Sequence, residues 1–194
     1  VDRSASFINY LEKIKENKKL PINPKLSTFD ELNLESNSLD GIYCRWALAW
    51  IPNPKEILNK LKTYLKPSGK MVIHEYYYWT SHRTQPEKPN LKKAIGAALQ
   101  SFKESDSEID VGKHLHQWFD ELGMGITSAR LMPKLITPNS KDWKWPRTFY
   151  ESYFPRLTRM GYLTQQDVTY AFQDLEDLEK LNYATLWAPL MIEV

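Results

Sequence analysis

Three consecutive residues, His74, Glu75 and Tyr76, bring together an imidazole, a carboxylate and a phenol. Enzymes use these groups as general acids and bases. They lie within residues 70–77, whose composition favours a strand, and ligands of parallel sheets bind beyond the carboxyl ends of strands. We therefore predict that the three residues are catalytic, although strand alternation sends only some of their side chains toward any one side.

Two of these residues also have a purely structural interpretation. His74 could be a partly buried histidine that is hydrogen-bonded to the backbone, and Glu75 could form a salt bridge at the end of the strand. Both interpretations stand beside the catalytic one, because the sequence does not show which way either side chain points.

A second group of candidates ends an earlier strand-like segment, residues 39–46. Cys44 could be a small core residue. Arg45 is costly to bury without a partner, which favours a role in a binding site or an ion pair. Trp46 could flank a bound ligand, although tryptophans at helical spacing, such as Trp46 and Trp50, more often pack in a core.

Two aromatic segments, residues 76–79 and 143–154, could enclose an apolar or aromatic ligand. Four of their side chains are predicted to bind a substrate: Tyr77, Trp79, Trp145 and Tyr150. A small satellite core between helices is the alternative. Three arginines in or near the second segment could bind a carboxylate or form a solvated basic face: Arg147, Arg156 and Arg159.

The histidines and the single cysteine do not form a metal-binding pattern. His114 and His116 are two positions apart and would lie on different faces of a helix, and His82 has no potential metal ligands around it in the sequence. A single cysteine, Cys44, excludes an internal disulfide and suits a reducing compartment. We therefore predict no metal site and a cytoplasmic location.

The elements that must position these residues include a strand, a helix and a strand within about 40 residues. After the strand at residues 39–46, a helix begins at Asn53-Pro54-Lys55-Glu56, with an N-cap, a proline at the first position and a glutamate that returns the cap. Its apolar stripe is Ile57, Leu58, Leu61 and Leu65. Residues 66–69 end the helix before the strand at residues 70–77. This order predicts a βαβ unit with parallel strands, and therefore an α/β fold.

Apolar periodicity predicts the remaining elements. It favours four further helices, within residues 4–20, 90–102, 111–122 and 164–181. It favours three further strands, at residues 25–29, 126–137 and 183–194. Ser4 is the expected N-cap of the first helix, and Pro189 is expected at an edge or bulge of the last strand.

Residues 39–51 and 65–73 resemble the fourth strand, the following helix and the fifth strand of class I S-adenosylmethionine-dependent methyltransferases. The likeness rests on a hydrophobic-Asp-hydrophobic strand at Leu39-Asp40-Gly41-Ile42 and on the turn Leu65-Lys66-Pro67-Ser68-Gly69, where the family has Leu-Lys-Pro-Gly-Gly. The resemblance implies a Rossmann-like, mostly parallel seven-stranded sheet in a single domain over residues 1–194. It also implies helical cap insertions at about residues 81–108 and 138–182.

The same resemblance implies S-adenosylmethionine as the cofactor and assigns its nucleoside contacts. Asp2, next to Arg3, matches the acidic residue that accepts hydrogen bonds from the ribose hydroxyls. The loop with Thr28, Phe29 and Asp30 matches the loop that embraces the adenine. The family often has an aspartate where Thr28 stands, so either Thr28 or Asp30 could accept from the adenine amino group.

By the same resemblance, Cys44, Arg45 and Trp46, at the end of the fourth strand, match the residues that contact the methionine portion of the cofactor.

In the family, a first strand and its glycine-rich turn precede the position of Asp2, and this sequence lacks them. That strand lies between the second and fourth strands, so its absence would leave a gap in the hydrogen-bonded sheet. We therefore expect a further βα unit of roughly 30 residues before Val1.

Composition excludes several classes of partner. The 194 residues include 26 Lys plus Arg and 24 Asp plus Glu, which gives a net charge of +2 with the basic residues scattered among acids. This argues against binding to nucleic acid or to a membrane surface. No apolar run approaches the ~20 residues that span a bilayer. With 42% apolar residues, the chain can form a core without disulfides or metals.

The resemblance implies an enzyme that uses S-adenosylmethionine to methylate a small molecule by in-line transfer, and the aromatic segments favour an apolar or aromatic acceptor. One alternative is a non-catalytic relative of methyltransferases that serves as a partner-binding scaffold. Another is a different nucleotide-binding α/β enzyme, against which the turn at residues 65–69 argues. The sequence leaves the methylated atom and the oligomeric state open.

Overall fold

The computed structural model describes residues 1–105 and 107–194. They divide into two compact units, the first formed by Val1–Ile42 and Lys55–Lys70 and the second by Tyr43–Pro54 and Met71–Val194. Among the described residues, no helix has both the length and the apolar character needed to cross a bilayer. The aromatic and titratable candidates within residues 74–79 and 143–154 belong to the second unit.

Helix α1, Ala5–Lys18, begins where the sequence predicts. The side chain of Ser4 accepts a hydrogen bond from the backbone N–H of Phe7, which confirms Ser4 as the N-cap. Ile8 is the buried residue of this helix, whereas Phe7 is 62% exposed. Most of the apolar side of α1 is therefore accessible to solvent.

Helix α2, Pro54–Tyr64, is the helix of the predicted βαβ unit. Three residues of its predicted apolar stripe are buried on this helix: Ile57, Leu58 and Leu61. The fourth, Leu65, is also buried but begins the strand Leu65–Tyr78, so the turn predicted at residues 66–69 is part of that strand. The hydroxyl of Tyr64 donates to the carbonyl oxygen of Leu32 at 2.7 Å and fixes the last turn of the helix within the first unit. Asn53, the predicted N-cap, has a φ of 52° and therefore does not adopt the extended conformation usual for an N-cap.

The strand predicted at residues 25–29 is reduced to a single parallel bridge between Asp2 and Leu26. Asp2 donates its backbone N–H to Lys25 O, and Ser27 donates to Asp2 O, each at 3.1 Å. The hydroxyl of Thr28 then accepts from the N–H of Glu31, which starts a turn. Because this local hydrogen bond turns the chain, the extended conformation ends before a full strand forms.

The described residues form seven strands, in chain order β1 (Leu39–Arg45), β2 (Leu65–Tyr78), β3 (Arg83–Gln85), β4 (Arg130–Met132), β5 (Leu135–Ile136), β6 (Thr185–Trp187) and β7 (Leu190–Glu193). Four of them make a sheet in the order β1-β2-β7-β4. Strand β7 is antiparallel to both of its neighbours. The α/β class is confirmed, but the described strands form a mixed sheet of four instead of the predicted, mostly parallel sheet of seven.

A second, antiparallel sheet has the order β3-β6-β5. It exists because each of the two strands predicted near the end of the chain is split. Residues 126–137 give β4 and β5 on either side of Pro133, and residues 183–194 give β6 and β7 on either side of Pro189. Proline has no N–H for a ladder hydrogen bond, so each proline marks the point where the chain changes sheets.

Helices α3 (Pro89–Lys103), α5 (Lys144–Arg159) and α6 (Gln165–Glu179) pack against one another in the second unit. Their shared core includes Leu91, Ala94, Ala98, Phe154, Leu157, Ala171 and Leu175. Helix α6 begins within the predicted range 164–181, and Thr164 and Asp167 form a capping box at its start. These helices lie in the two stretches predicted as insertions.

The helix predicted over residues 111–122 is divided into a 3₁₀ helix, Val111–His114, and helix α4, Leu115–Glu121. Gly112 explains how the first of these lies so close to the sheet. A Cβ atom on Gly112 would be 2.6 Å from Tyr76 O on β2 and 2.7 Å from Ile192 Cγ2 on β7. Only a residue without a side chain fits at this position.

Candidate active site

Glu75, at the end of β2, is completely buried and is hydrogen-bonded to the backbone. Its Oε1 accepts from the N–H of Ala47 at 2.7 Å and from the N–H of Leu48 at 2.8 Å. Among the described residues Glu75 makes no ion pair. The salt bridge at the end of the strand, which was the structural interpretation of Glu75, is therefore not formed with a described residue. Its other oxygen, Oε2, is buried without a hydrogen-bond partner.

Burial raises the pKa of Glu75 to about 7, while the hydrogen bonds from Leu48 and Ala47 act in the opposite direction. A carboxylate is poorly solvated inside a protein, so the neutral acid is favoured until the pH approaches neutrality. The carboxyl group therefore titrates near physiological pH with its Oε1 already engaged by two amides.

The two amides belong to a tight turn that follows β1. Trp46 has a φ of 53°, in the left-handed region, and a 3₁₀ helix begins at Leu48. The N–H of Trp46 donates to His74 O at 3.0 Å, so residues 46–48 are bound to β2 by three consecutive N–H groups. Glu75 thereby fixes the conformation of the turn that carries Trp46.

The indole of Trp46 is held on several sides. It stacks on Tyr76 with ring centroids 5.7 Å apart and planes within 3°, and its Nε1 donates to Met191 Sδ at 3.0 Å. The guanidinium carbon of Arg45 lies 3.9 Å from the centroid of the Trp46 ring. This is a close cation–π contact, so the indole orients the arginine beside it.

A cavity of about 170 Å³ lies next to this indole within the second unit. Its apolar and aromatic wall consists of Trp46, Ile136, Trp145, Ala188, Pro189 and Met191. Its charged groups are Arg45, Lys134 and Asp142, the last two paired at 2.9 Å. Trp46 and Trp145 face each other with centroids 5.8 Å apart and planes inclined at 40°. The cavity can accommodate a small aromatic molecule.

The other predicted catalytic residues and Cys44 are buried near Glu75. His74 Nε2 has no hydrogen-bond partner among the described residues, and burial together with the charge of Arg45 lowers the pKa of His74. Burial raises the pKa of Tyr76, and burial with the nearby Glu75 raises the pKa of Cys44 to about 12. At neutral pH all three groups are therefore uncharged, and Cys44 is a buried thiol, not a nucleophile.

Two of the residues predicted to bind a substrate, Tyr150 and Trp79, are buried in the interior of the second unit. Tyr150 is fully buried and donates its hydroxyl to His82 Nε2 at 2.7 Å, while His82 Nδ1 is 2.9 Å from Trp187 O. Trp79 is 3% exposed and packs edge to face on Phe102. Neither lines the aromatic cavity, and both contribute to the core between the helices, which was the structural alternative.

Tyr77 lies on a different surface from Trp145. The pairing of β2 with β7 shifts register between Tyr76 and Tyr78, which places Tyr77 in a β-bulge. Its ring lines a shallow depression with Lys113, His116, Arg130 and Ile192. Of the four predicted substrate residues, the structure therefore places Trp145 alone on the wall of the aromatic cavity.

The predicted nucleoside contacts lie in the first unit, where Asp2 and the loop of residues 28–30 are adjacent. Asp2 is half-buried; its Oδ1 accepts from the N–H of Ser4 at 2.7 Å, and Oδ2 has no partner among the described residues. The hydroxyl of Thr28 donates to Glu31 Oε2 at 3.0 Å. Lys60 donates to the carbonyl oxygens of Phe29 and Asp30 and holds this loop.

Several residues that line or hold the candidate sites were not found by sequence reasoning. Lys60, Lys134, Asp142 and Met191 carry no local motif, and their roles come from contacts with residues distant in sequence. Arg3, by contrast, was predicted to bind the cofactor and is simply exposed. Within the described ranges, no group of three or more His, Cys, Asp or Glu side chains could hold a metal ion.

Residues 1–73 match the model of a protein family described as a methyltransferase domain. The matched segment contains Asp2, the loop of residues 28–30, β1 and α2. No curated protein matches the chain. The match confirms the resemblance to class I methyltransferases that was inferred from residues 39–51 and 65–73.

Several solved structures with a similar fold are described as methyltransferases. A candidate methyltransferase from Bacillus halodurans has a TM-score of 0.60 at 10% identity, over 99% of this chain and 79% of its own. A candidate sarcosine dimethylglycine methyltransferase from Galdieria sulphuraria has a TM-score of 0.53 at 15% identity, over 99% and 68%.

A third structure is a phosphoethanolamine N-methyltransferase from Haemonchus contortus in complex with phosphomonomethylethanolamine and S-adenosylhomocysteine. Its TM-score is 0.51 at 13% identity, over 99% of this chain and 42% of its own. At these identities the likeness establishes a methyltransferase-like α/β fold for the chain.

Proposed function

We propose that the protein is an S-adenosylmethionine-dependent methyltransferase that acts on a small apolar or aromatic molecule. The observation that carries this proposal is the match of residues 1–73 to a methyltransferase domain, because that segment contains the residues expected to bind the nucleoside. The S-adenosylhomocysteine in the Haemonchus contortus structure agrees with this choice of cofactor.

The chemistry of the first unit fits a nucleoside. The half-buried carboxylate of Asp2 has one oxygen without a partner among the described residues, and a free carboxylate oxygen can accept hydrogen bonds from ribose hydroxyls. The loop of residues 28–30, which is anchored by Lys60, would contact the adenine. Thr28 uses its hydroxyl in the turn with Glu31, so Asp30 is the freer of the two side chains predicted to meet the adenine amino group.

When bound, S-adenosylmethionine supplies a methyl group that bonds to the lone pair of the acceptor as the carbon–sulfur bond breaks and its electron pair stays on sulfur. For such a displacement the protein chiefly holds the acceptor in line and excludes water. The aromatic cavity of the second unit serves this purpose through Trp46 and Trp145. Glu75 acts on the acceptor through Trp46, because it holds the turn of residues 46–48.

Calorimetric titration of the full-length protein with S-adenosylhomocysteine tests the proposal. We expect saturable heat with one site, and Asp2→Asn should weaken binding about tenfold, because the amide replaces a charged acceptor. Asp40→Asn is the control, since Asp40 is an exposed residue of the same unit that pairs with Lys66. Absence of binding in the wild type would refute the proposal and leave the scaffold hypothesis.

A further inference from the structure

Among the described residues that line the aromatic cavity, Arg45 carries a charge that no neighbour compensates. Its side chain is exposed, and in the described part of the chain no aspartate or glutamate forms an ion pair with it. Lys134, by contrast, is paired with Asp142 at 2.9 Å. The three charged groups of the cavity therefore leave a net charge of one positive unit, located at Arg45.

The position of this guanidinium is restrained by its contact with Trp46. The guanidinium carbon lies 3.9 Å from the indole centroid. The indole itself is fixed by stacking on Tyr76 and by the hydrogen bond to Met191. A planar guanidinium held in this way presents a fork of N–H donors that matches a carboxylate in two-point contact.

The rest of the cavity is suited to a flat ring. The indoles of Trp46 and Trp145 form part of the wall, and Ile136 and Met191 add apolar surface. A cavity of roughly 150 Å³ is large enough for a benzene ring. The volume here, about 170 Å³, therefore accommodates a single ring beside the arginine.

We propose that this cavity is the acceptor site and that it selects small aromatic anions, with the ring against the indoles and a carboxylate paired with Arg45. The proposal rests on the proposed function and names the substrate class for it. It also assigns Arg45 to the acceptor, whereas the family resemblance assigns it to the cofactor.

Matched pairs of ligands test the charge requirement directly. We would titrate the full-length protein, with and without S-adenosylhomocysteine, using benzoate against benzamide and phenylacetate against phenylacetamide. Binding would be followed by calorimetry and tryptophan fluorescence. We expect the anion of at least one pair to bind about tenfold or more tightly than its amide, as a charge-assisted hydrogen bond to a guanidinium predicts.

Variants of Arg45 and Asp142 should change the affinity for the anion in opposite directions. Arg45→Gln should weaken binding of the anion by about tenfold to a hundredfold and leave its amide unchanged. Arg83→Gln, a change at an exposed arginine on β3 that does not line the cavity, is the matched control and should have no effect. Asp142→Asn should strengthen anion binding severalfold, because it releases Lys134 from its ion pair, and the gain should diminish at high salt. A purely structural role of Asp142 would not produce this gain.

The outcomes separate this inference from the proposed function. If S-adenosylhomocysteine binds but neither anion binds better than its amide, the inference is refuted and the proposed function stands. If Arg45→Gln abolishes binding of S-adenosylhomocysteine while the anion still binds, Arg45 belongs to the cofactor and the inference is refuted. If the anions bind as expected but S-adenosylhomocysteine does not, the cavity is an aromatic-anion site and the proposed function fails. If no ligand binds, both are wrong.

Discussion

The carboxyl group of Glu75 accepts a hydrogen bond from the backbone N–H of Ala47 at 2.7 Å, across 28 positions of sequence. The same oxygen accepts from Leu48. A single buried side chain on β2 therefore determines the conformation of the turn after β1. Since that turn carries Trp46, the geometry of the aromatic cavity depends on a residue that does not line it.

The raised pKa of Glu75 predicts how stability depends on pH. In the folded protein the pKa is about 7, against 4.5 for the free side chain, so the folded state binds the proton more tightly. The contribution of this group to the free energy of unfolding is full below about pH 4.5 and is lost as the pH rises to 7, by roughly 3 kcal/mol. His82, whose pKa is lowered to about 4 by burial, has the opposite dependence between about pH 4 and 6.5.

The variant Glu75→Gln separates the pH dependence of stability that Glu75 contributes from the opposite one that His82 contributes. Glutamine can still accept from the Ala47 and Leu48 amides but does not titrate. The free energy of unfolding of the variant should therefore rise between about pH 4 and 6.5, where the opposing effects of Glu75 and His82 largely cancel in the wild type. Urea denaturation across this range measures the difference. Glu87→Gln, at an exposed residue paired with Lys92, is the control. Parallel curves for Glu75→Gln and the wild type would show that Glu75 is ionised normally.

The hydrogen bond between Tyr150 and His82 should stabilise the packing of the second unit. Tyr150→Phe leaves the buried Nε2 of His82 without its donor, which should lower the free energy of unfolding by about 1–3 kcal/mol. Tyr183→Phe is the control, because Tyr183 is 72% exposed. Thermal or urea unfolding measures the stability of both variants against the wild type. If Tyr150→Phe were as stable as the wild type, the hydrogen bond to His82 would not stabilise the second unit.

Replacement by alanine should lower the free energy of unfolding at Gly112 and raise it at Gly96. A Cβ at Gly112 would lie 2.6 Å from a backbone oxygen of Tyr76, so Gly112→Ala should cost about 1–3 kcal/mol. Gly96 lies in α3, and a Cβ added there would have no described neighbour within 4 Å, so Gly96→Ala should stabilise the protein by roughly 0.5–1 kcal/mol. Chemical denaturation of the two variants checks both signs, and a neutral Gly112→Ala would mean that the 3₁₀ helix can move away from the sheet.

Asp174 on α6 caps the beginning of α3. Its Oδ2 accepts from the N–H groups of Asn90 and Leu91 at 2.8 and 3.1 Å. Asp174→Ala should therefore lower the free energy of unfolding by about 1–2 kcal/mol. Glu176→Ala, at an exposed residue of the same helix, should change it by no more than about 0.5 kcal/mol. Similar losses in both variants would contradict the capping role.

Features specified within one or two turns of chain were predicted correctly from the sequence. Ser4 caps α1, and α6 lies within the predicted range 164–181. Ile57, Leu58 and Leu61 form the buried side of α2, as their spacing predicts. Such features follow from local hydrogen bonding and helical periodicity, so a single segment contains the information needed.

The sheets could not be predicted in the same way. Residues 126–137 and 183–194 have the composition of continuous strands, yet each is divided between two sheets near Pro133 or Pro189. Strand pairing depends on partners far away in sequence, and here β7 joins β2 and β4 in antiparallel orientation. The βαβ unit predicted parallel strands, and the family resemblance extended this to a mostly parallel sheet.

The sequence by itself determined the α/β class, the approximate starts of α1, α2, α3 and α6 and the resemblance of residues 39–51 and 65–73 to methyltransferases, because these depend on residues close together in the chain. It did not predict α5, whose segment was read only as an aromatic cluster. Only the tertiary structure decided that Trp145 faces Trp46 while Tyr150 is buried against His82. It also decided that Glu75 binds backbone amides and that Arg45 has no carboxylate partner among the described residues. These are consequences of packing between distant segments, where burial and charge depend on which groups are brought together.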